Sequence, residues 1–270
     1  MILFNDFVSE YHALKSEIDG AIAGVLARGW FILGEEVAQF ERELADFLGV
    51  RFCVGVASGT DALTLSLMAL EIGLGDEVIA PSMTAFPTIT GIINAGATPV
   101  VVDVQPEDGL IDPQAIRAQI TEKTKAIIPV HLYGQACDMA AIRQIADEYG
   151  LKIVEDCAQA CGADYLGEKV GNFGECGAFS FYPTKNLGAY GDAGAITTND
   201  ENLYQRLRAL RNYGQTTRYY HVAPGLNSRL DELQAAILRV KLKHLGDWNQ
   251  QRAALAEIYH ANLTNVIPLA

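Results

Sequence analysis

Short apolar runs alternate with helical patterns through most of this chain, and that alternation limits the folds open to it. Phe52–Val56, Glu77–Ala80, Pro99–Val104, Ala126–His131, Lys152–Glu155, Ala178–Phe181 and Ala195–Thr198 read as strands. Several are apolar throughout, as strands covered on both faces are. Helical patterns lie between them over Thr60–Ile72, Thr88–Ala95, Pro113–Ile120 and Met139–Tyr149. The order predicts an α/β fold with a mostly parallel central sheet and helices on both faces.

Two amphipathic helices are expected before the first strand. Leu14, Ile18, Ile22 and Leu26 stripe one, and Val37, Phe40, Leu44 and Phe47 stripe the other. After the last strand, Leu203–Leu210 reads as a helix and Arg218–Asn227 as a loop. A long helical pattern then runs from Leu230 to about Leu263, striped by Leu233, Ile237, Val240 and Leu245. Residues 1–250 are expected to form one large domain. Residues 251–270, ending Asn265-Val266-Ile267-Pro268-Leu269-Ala270, read as the start of a small C-terminal domain that is truncated here.

Composition narrows the function classes. Twenty basic against 33 acidic residues give a formal charge of −13, which repels nucleic acid. No apolar run reaches the ~18–20 residues of a membrane span, and the first residues lack the basic region of a signal peptide. Cys53, Cys137, Cys157, Cys161 and Cys176 are odd in number and lie mostly in apolar segments. They are expected to be buried thiols of a cytoplasmic protein. Cys157 and Cys161 do not make a CxxC pair and have no histidine cluster, so no metal site is expected.

The most informative residue is Lys185, in Ala178-Phe179-Ser180-Phe181-Tyr182-Pro183-Thr184-Lys185-Asn186. It follows an apolar strand and has no charged neighbour between Glu175 and Asp192, unlike a lysine on a solvated helix face. Upstream, Ile153-Val154-Glu155-Asp156 ends another strand with an acid. A lysine and an aspartate at two strand ends are what pyridoxal phosphate (PLP) requires: an amine for the Schiff base and a carboxylate for the pyridinium nitrogen. Ala57-Ser58-Gly59-Thr60-Asp61 follows a strand and opens a helix, where free N–H groups and the helix dipole suit a phosphate. Taken singly, each has an ordinary reading: the serine–glycine–threonine turn and Asp156 as helix caps, Lys185 as a surface cation. Their order over one sheet is what carries the site.

Val154-Glu155-Asp156-Cys157-Ala158-Gln159-Ala160, Ser180-Phe181-Tyr182-Pro183-Thr184-Lys185-Asn186 and Gly225-Leu226-Asn227-Ser228-Arg229-Leu230-Asp231-Glu232-Leu233-Gln234 together resemble the DegT/DnrJ/EryC1/StrS sugar aminotransferases, fold-type I PLP enzymes. The resemblance implies that Lys185 holds PLP and moves the proton. It also implies that Asp156 pairs with the ring nitrogen and that Gln159 lies near the 3-hydroxyl. Gly59, Thr60 and Ser180 would bind the phosphate, which Asn227 would reach from the neighbouring subunit of a homodimer. Tyr182 and Phe86 are weaker candidates for the substrate pocket. Members of the family commonly stack an aromatic on the ring where this chain has Ala85; Phe86 is then either its replacement or a core residue, and core is the preferred reading. His131 reads as a structural histidine and Tyr182 equally as packing.

The implied reaction moves an amino group from L-glutamate to a nucleotide-linked keto sugar. The Asn227–Gln234 variant resembles members that act at C3 of dTDP-3-keto-6-deoxyhexoses. Amination at C4 and a PLP-binding fragment or sensor without turnover are the alternatives.

Overall fold

The computed structural model describes residues 5–263. The elements follow in the order α1 (Phe7–Arg28), α2 (Glu35–Leu48), β1 (Phe52–Val56), α3 (Gly59–Ala69), β2 (Glu77–Pro81), α4 (Phe86–Asn94) and β3 (Thr98–Val102). Next come α5 (Pro113–Gln119), β4 (Thr124–Ile127), α6 (Met139–Tyr149), β5 (Lys152–Asp156), β6 (Asp164–Tyr165), β7 (Glu168–Lys169) and β8 (Cys176–Ser180). The rest are β9 (Gly194–Thr198), α7 (Glu201–Leu210), β10 (Gln215–Thr217), β11 (Tyr220–His221), α8 (Glu232–Leu242) and α9 (Leu245–Asn262).

Seven strands form one sheet in the order β1-β9-β8-β5-β4-β2-β3. β9 runs antiparallel to both neighbours, and the other adjacent pairs are parallel. The parallel strands and β1 therefore end at the same edge, where their following loops converge. In open α/β sheets that edge is where ligands bind.

The pleat sorts apolar side chains into two layers. On β1, Val54 and Val56 join the layer under α3 and α6, while Cys53 joins the layer under α2 and α8. On β8, Cys176 and Ala178 face the first layer and Phe179 the second. Phe40 of α2 meets Phe181 edge-on at 5.4 Å in that second layer. α3 is buried nearly all round, with Leu63, Leu65 and Leu67 each at most 2% exposed. A helix with apolar residues on every side has to lie between layers in this way.

Several local expectations need correction. The strand expected over Ala126–His131 runs Thr124–Ile127 and stops there. Val130 then makes only an isolated bridge to Asp156, and the chain turns at Leu132–Gly134. The expected loop Arg218–Asn227 contains β11, which pairs with β10 in a hairpin. The long pattern from Leu230 is two helices, broken at Lys243–His244. On α1, Val25 is buried and Leu26 is 56% exposed, so the stripe drifts by one residue at its end. The hairpin β6–β7 carries too few apolar residues to show in the pattern. The segment 264–270 lies outside the described residues.

All five cysteines are buried and unpaired. No helix among the described residues is long and apolar enough to cross a membrane.

α8 supplies the cap that α2 lacks. Gly34 stands at the N-cap of α2 with no side chain to offer. Glu232, 1% exposed, fills the gap: Oε1 accepts from Gly34 N and Val37 N, both at 2.9 Å, and Oε2 accepts from Glu36 N at 3.0 Å. A carboxylate at a helix N-terminus gains from the dipole as well as from the bonds. Glu232→Ala should cost about 3 kcal/mol in urea unfolding, because buried amides lose their acceptor. Glu232→Gln, which keeps one acceptor oxygen, should cost less.

Candidate active site

The loops at the common strand edge enclose a cleft of about 270 Å³. Gly59, Thr60, Asp156, Gln159, Ser180, Tyr182 and Lys185 all line it. α3, β5, β8 and the turns that follow β5 and β8 thus deliver these seven residues to one place, across 127 positions of chain from Gly59 to Lys185.

The part of the cleft at the start of α3 is built by backbone. Ser58 caps α3 through its hydroxyl, which accepts from Asp61 N at 3.1 Å. No protein acceptor among the described residues meets the N–H groups of Gly59 and Thr60, so the first turn of α3 is free to bind an anion. Close packing fixes this turn. A Cβ on Gly59 would lie 2.6 Å from Ser180 Cβ, and one on Gly194 would lie 2.4 Å from the Ser58 carbonyl. Only glycine lets β8, β9 and the start of α3 approach so closely. Ser228, fully buried, ties the loop from behind: its hydroxyl accepts from Ala57 N at 3.1 Å and donates to Asp61 Oδ2 at 2.7 Å.

The other end holds the charges. Asp156 closes β5 and is 5% exposed. Its Oδ1 accepts from Ala158 N at 3.1 Å and its Oδ2 from the Thr88 hydroxyl at 2.8 Å. Burial pushes its pKa up; the Thr88 and Ala158 hydrogen bonds and the charge of Lys185 oppose that shift. Lys185 stands in the turn after β8, with its backbone N–H donating to the Tyr182 carbonyl at 2.8 Å. Its side chain is half-buried, and desolvation lowers its pKa against the pull of Asp156. A lysine shifted this way presents more free amine near neutral pH than a solvated one. Gln159 is held in place by Tyr133, whose N–H donates to its Oε1 at 2.9 Å.

Two expected residues lie elsewhere. Phe86 opens α4 and is 74% exposed, so the preferred reading of it as core is wrong; it does not line the cleft either. It stands at the first position of the helix that follows β2, and its side chain projects outward. Ala85 does line the cleft, which leaves Tyr182 as the one aromatic among the lining residues. Asn227 is exposed and sits outside the cleft, with its backbone bridged to Asn212.

The residues that the sequence reading missed are Thr84, Thr88 and Asp192, which also line the cleft. Nothing in the sequence separates Thr88 from Thr90 of the same helix; burial alone marks it out.

His131, Glu155 and Cys157 bring ligand atoms within 4.8 Å of one another. Their donors are already committed. His131 Nδ1 accepts from Cys137 N at 3.1 Å, so the neutral ring carries its proton on Nε2, facing Glu155 Oε2 at 3.0 Å. Glu155 also accepts from the N–H groups of Gly171, Phe173 and Gly174. Burial holds the Cys157 thiol well above its ordinary pKa. The cluster is a buried hydrogen-bond network rather than a vacant ligand set.

A free helix N-terminus, a half-buried lysine and a buried carboxylate in one cleft fit PLP by its chemistry: phosphate, aldehyde carbon and pyridine nitrogen each meet a suitable group. Comparison with known proteins agrees. The sequence profile of the DegT/DnrJ/EryC1/StrS aminotransferase family matches residues 12–269. The dTDP-3-amino-3,6-dideoxy-alpha-D-galactopyranose transaminase of Aneurinibacillus thermoaerophilus is 53% identical over 265 residues, 98% of this chain and 73% of that protein. The crystal structure of S. venezuelae DesV in complex with a ketimine intermediate matches with a TM-score of 0.96 at 48% identity, covering 98% of this chain and 72% of that one. That of NtdA from Bacillus subtilis with bound cofactor PMP matches with a TM-score of 0.86 at 38% identity, covering 90% and 56%.

Borohydride treatment of the PLP-loaded protein should fix the pyridoxyl group on Lys185, as peptide mapping would read. Recovery of the label on another lysine would reject the site. Gly59→Ala should weaken PLP binding to the apo-protein by roughly tenfold or more, about 1.4 kcal/mol, by forcing α3 away from Ser180.

Proposed function

The chain belongs to the DegT/DnrJ/EryC1/StrS aminotransferase family, whose members are PLP enzymes, and on that premise we propose the substrates and residue roles. The amino group moves from L-glutamate to C3 of a dTDP-linked 3-keto-6-deoxyhexose. The observation that carries the chemistry is the cleft that joins Lys185, Asp156 and the free start of α3. The sugar position is supported by the 3-amino product named for the Aneurinibacillus relative and by the Asn227–Gln234 segment. A cytoplasmic setting is supported by five thiols that are all buried and unpaired.

Bound PLP supplies an electron sink for the carbanion formed at the reacting carbon. Asp156 would hold a proton on the ring nitrogen, which would keep the sink strong. Lys185 holds the cofactor at its aldehyde carbon. As a free amine, it would hold and move a proton at the reacting carbon. Burial serves this role, because an amine with a lowered pKa both accepts and returns a proton near neutral pH. Gly59, Thr60 and Ser180 bind the phosphate, and Gln159 orients the ring beside its 3-hydroxyl. Tyr182, 53% exposed at the cleft, borders the sugar.

The site is completed by a second copy of the chain. Asn227 lies outside its own cleft, and the hairpin beside it exposes Tyr219, Tyr220 and Val222 to more than half their area. An apolar projection of this kind is suited to a partner surface. A two-fold axis makes the exchange reciprocal, and the asparagine amide donates to the partner's phosphate without adding charge.

Incubation with glutamate and a dTDP-3-keto-6-deoxyhexose should yield a 3-amino sugar by mass spectrometry and NMR. A 4-amino product would move the assignment to C4. Absence of amine across a panel of keto sugars, with glutamate still converting the cofactor, would reject this substrate class. Asp156→Asn should leave the fold intact and slow the glutamate half-reaction on the order of 10²-fold or more. Mixing Lys185→Ala and Asn227→Ala proteins should restore tight PLP binding at about one site per heterodimer. An Asn227 that served its own chain would give no recovery.

A further inference from the structure

Asp156 is held from α4 as well as from its own strand. Thr88, in the first turn of α4, is 1% exposed and donates its hydroxyl proton to Asp156 Oδ2 at 2.8 Å. A threonine hydroxyl has one proton. The 2.7 Å contact between Thr84 Oγ1 and Thr88 Oγ1 is therefore donated by Thr84. The two hydroxyls form a directed chain, Thr84 to Thr88 to Asp156, along the cleft wall.

Three other helical hydroxyls behave differently. Thr64, Ser66 and Thr90 each bond back to the carbonyl four residues earlier, the usual local solution. Thr88 has Thr84 at the same offset, yet turns its proton onto the carboxylate and uses Thr84 only as a donor. Local helix chemistry does not require that arrangement.

We propose that Thr88, supported by Thr84, is a positioning residue that fixes the carboxylate of Asp156 against the cofactor ring and keeps it ionised. This rests on the role given to Asp156 above. Burial favours the neutral acid at this position. The charged or titratable groups around it are Lys185 from the turn after β8, His131 from the segment after β4, and Glu155 and Cys157 on either side in the chain. An amine that enters and leaves covalent bonding is not a fixed counter-charge. The His131 ring is engaged with Glu155, and the Cys157 thiol stays protonated. The Thr88 hydroxyl and the Ala158 amide are the donors that remain constant through the reaction, one on each carboxylate oxygen. Each oxygen keeps lone pairs for the ring side.

The test compares Thr88→Val, Thr88→Ser and Thr84→Val with the unaltered PLP-loaded protein. Thr88→Val should lower kcat of the glutamate half-reaction by roughly tenfold with KM nearly unchanged. Its acid limb should move up by about one pH unit, since loss of a hydrogen bond to the charged form raises the pKa. PLP affinity of the apo-protein, read by fluorescence, should fall severalfold. Thr88→Ser should restore all three readouts, and Thr84→Val should shift them the same way by less. A folded Thr88→Val protein with the original acid limb and kcat overturns the proposal. If Thr88→Val does not fold, an unchanged acid limb and PLP affinity in Thr84→Val overturn it. Failure of the underlying reading is distinguishable: Asp156→Asn itself would then react at the normal rate. A crippled Asp156→Asn beside a normal Thr88→Val removes the threonine chain alone.

Discussion

Two consecutive carboxylates at the end of one buried strand are the constraint around which this protein is built. Neither Glu155 nor Asp156 is more than 5% exposed, and an ionised carboxylate removed from water needs hydrogen-bond donors. The pleat sends them to opposite faces of the sheet. On one face, three backbone amides of the 171–174 loop and His131 surround Glu155. That carboxylate is satisfied by the fold, and in exchange it fixes the loop and the His131 segment. On the other face, Asp156 receives one amide and one hydroxyl. It keeps unused acceptor capacity, and it faces a cleft. The difference in donor count is what makes one acid an anchor and leaves the other available for chemistry.

The phosphate end follows from a different constraint, the closeness of three backbones. Gly59 packs on Ser180, and Gly194 on the Ser58 carbonyl, at separations that no Cβ tolerates. These contacts bring the start of α3 to the end of β8, so the free amides and the lysine turn share one cleft. The same economy appears behind it, where Ser228 and Glu232, four residues apart, tie α3 and α2 to the segment leading into α8. The segment that carries Asn227 is thereby locked to the first turn of α3 in its own chain.

The seven strands of the sheet and its parallel character were legible because strands buried on both faces show as unbroken apolar runs between helical patterns. The lysine, the aspartate and the glycine turn were legible as a set, because the ordinary reading that each has alone does not explain their order over one sheet. What escaped depends on contacts distant in sequence. Phe86 looks like core by type, but its place at the tip of α4 turns it outward. Thr88 looks like an ordinary helical threonine until Asp156, 68 positions away, is brought beside it. The break between α8 and α9 lies in Lys243–His244, which carries no proline or glycine. The pair β10–β11 is too short for an alternating pattern to register.

The electrostatics of the cleft complete the picture. A chain of formal charge −13 binds an anionic cofactor, yet the cleft offers one cation, Lys185, against Asp156 and Asp192. No arginine lines it. A fixed cluster of cations would hold phosphate more strongly, but it would also raise the local potential around Lys185 and oppose the pyridinium proton that Asp156 is placed to keep. In the proposed reading, helix amides, hydroxyls and an asparagine amide would hold the anion through dipoles whose reach is short. They leave the potential at the ring, some ångströms away, to the lysine–aspartate pair. The first turn of α3 and the lysine–aspartate pair thus bring different chemistry to one cleft, backbone dipoles in the first and paired charges in the second.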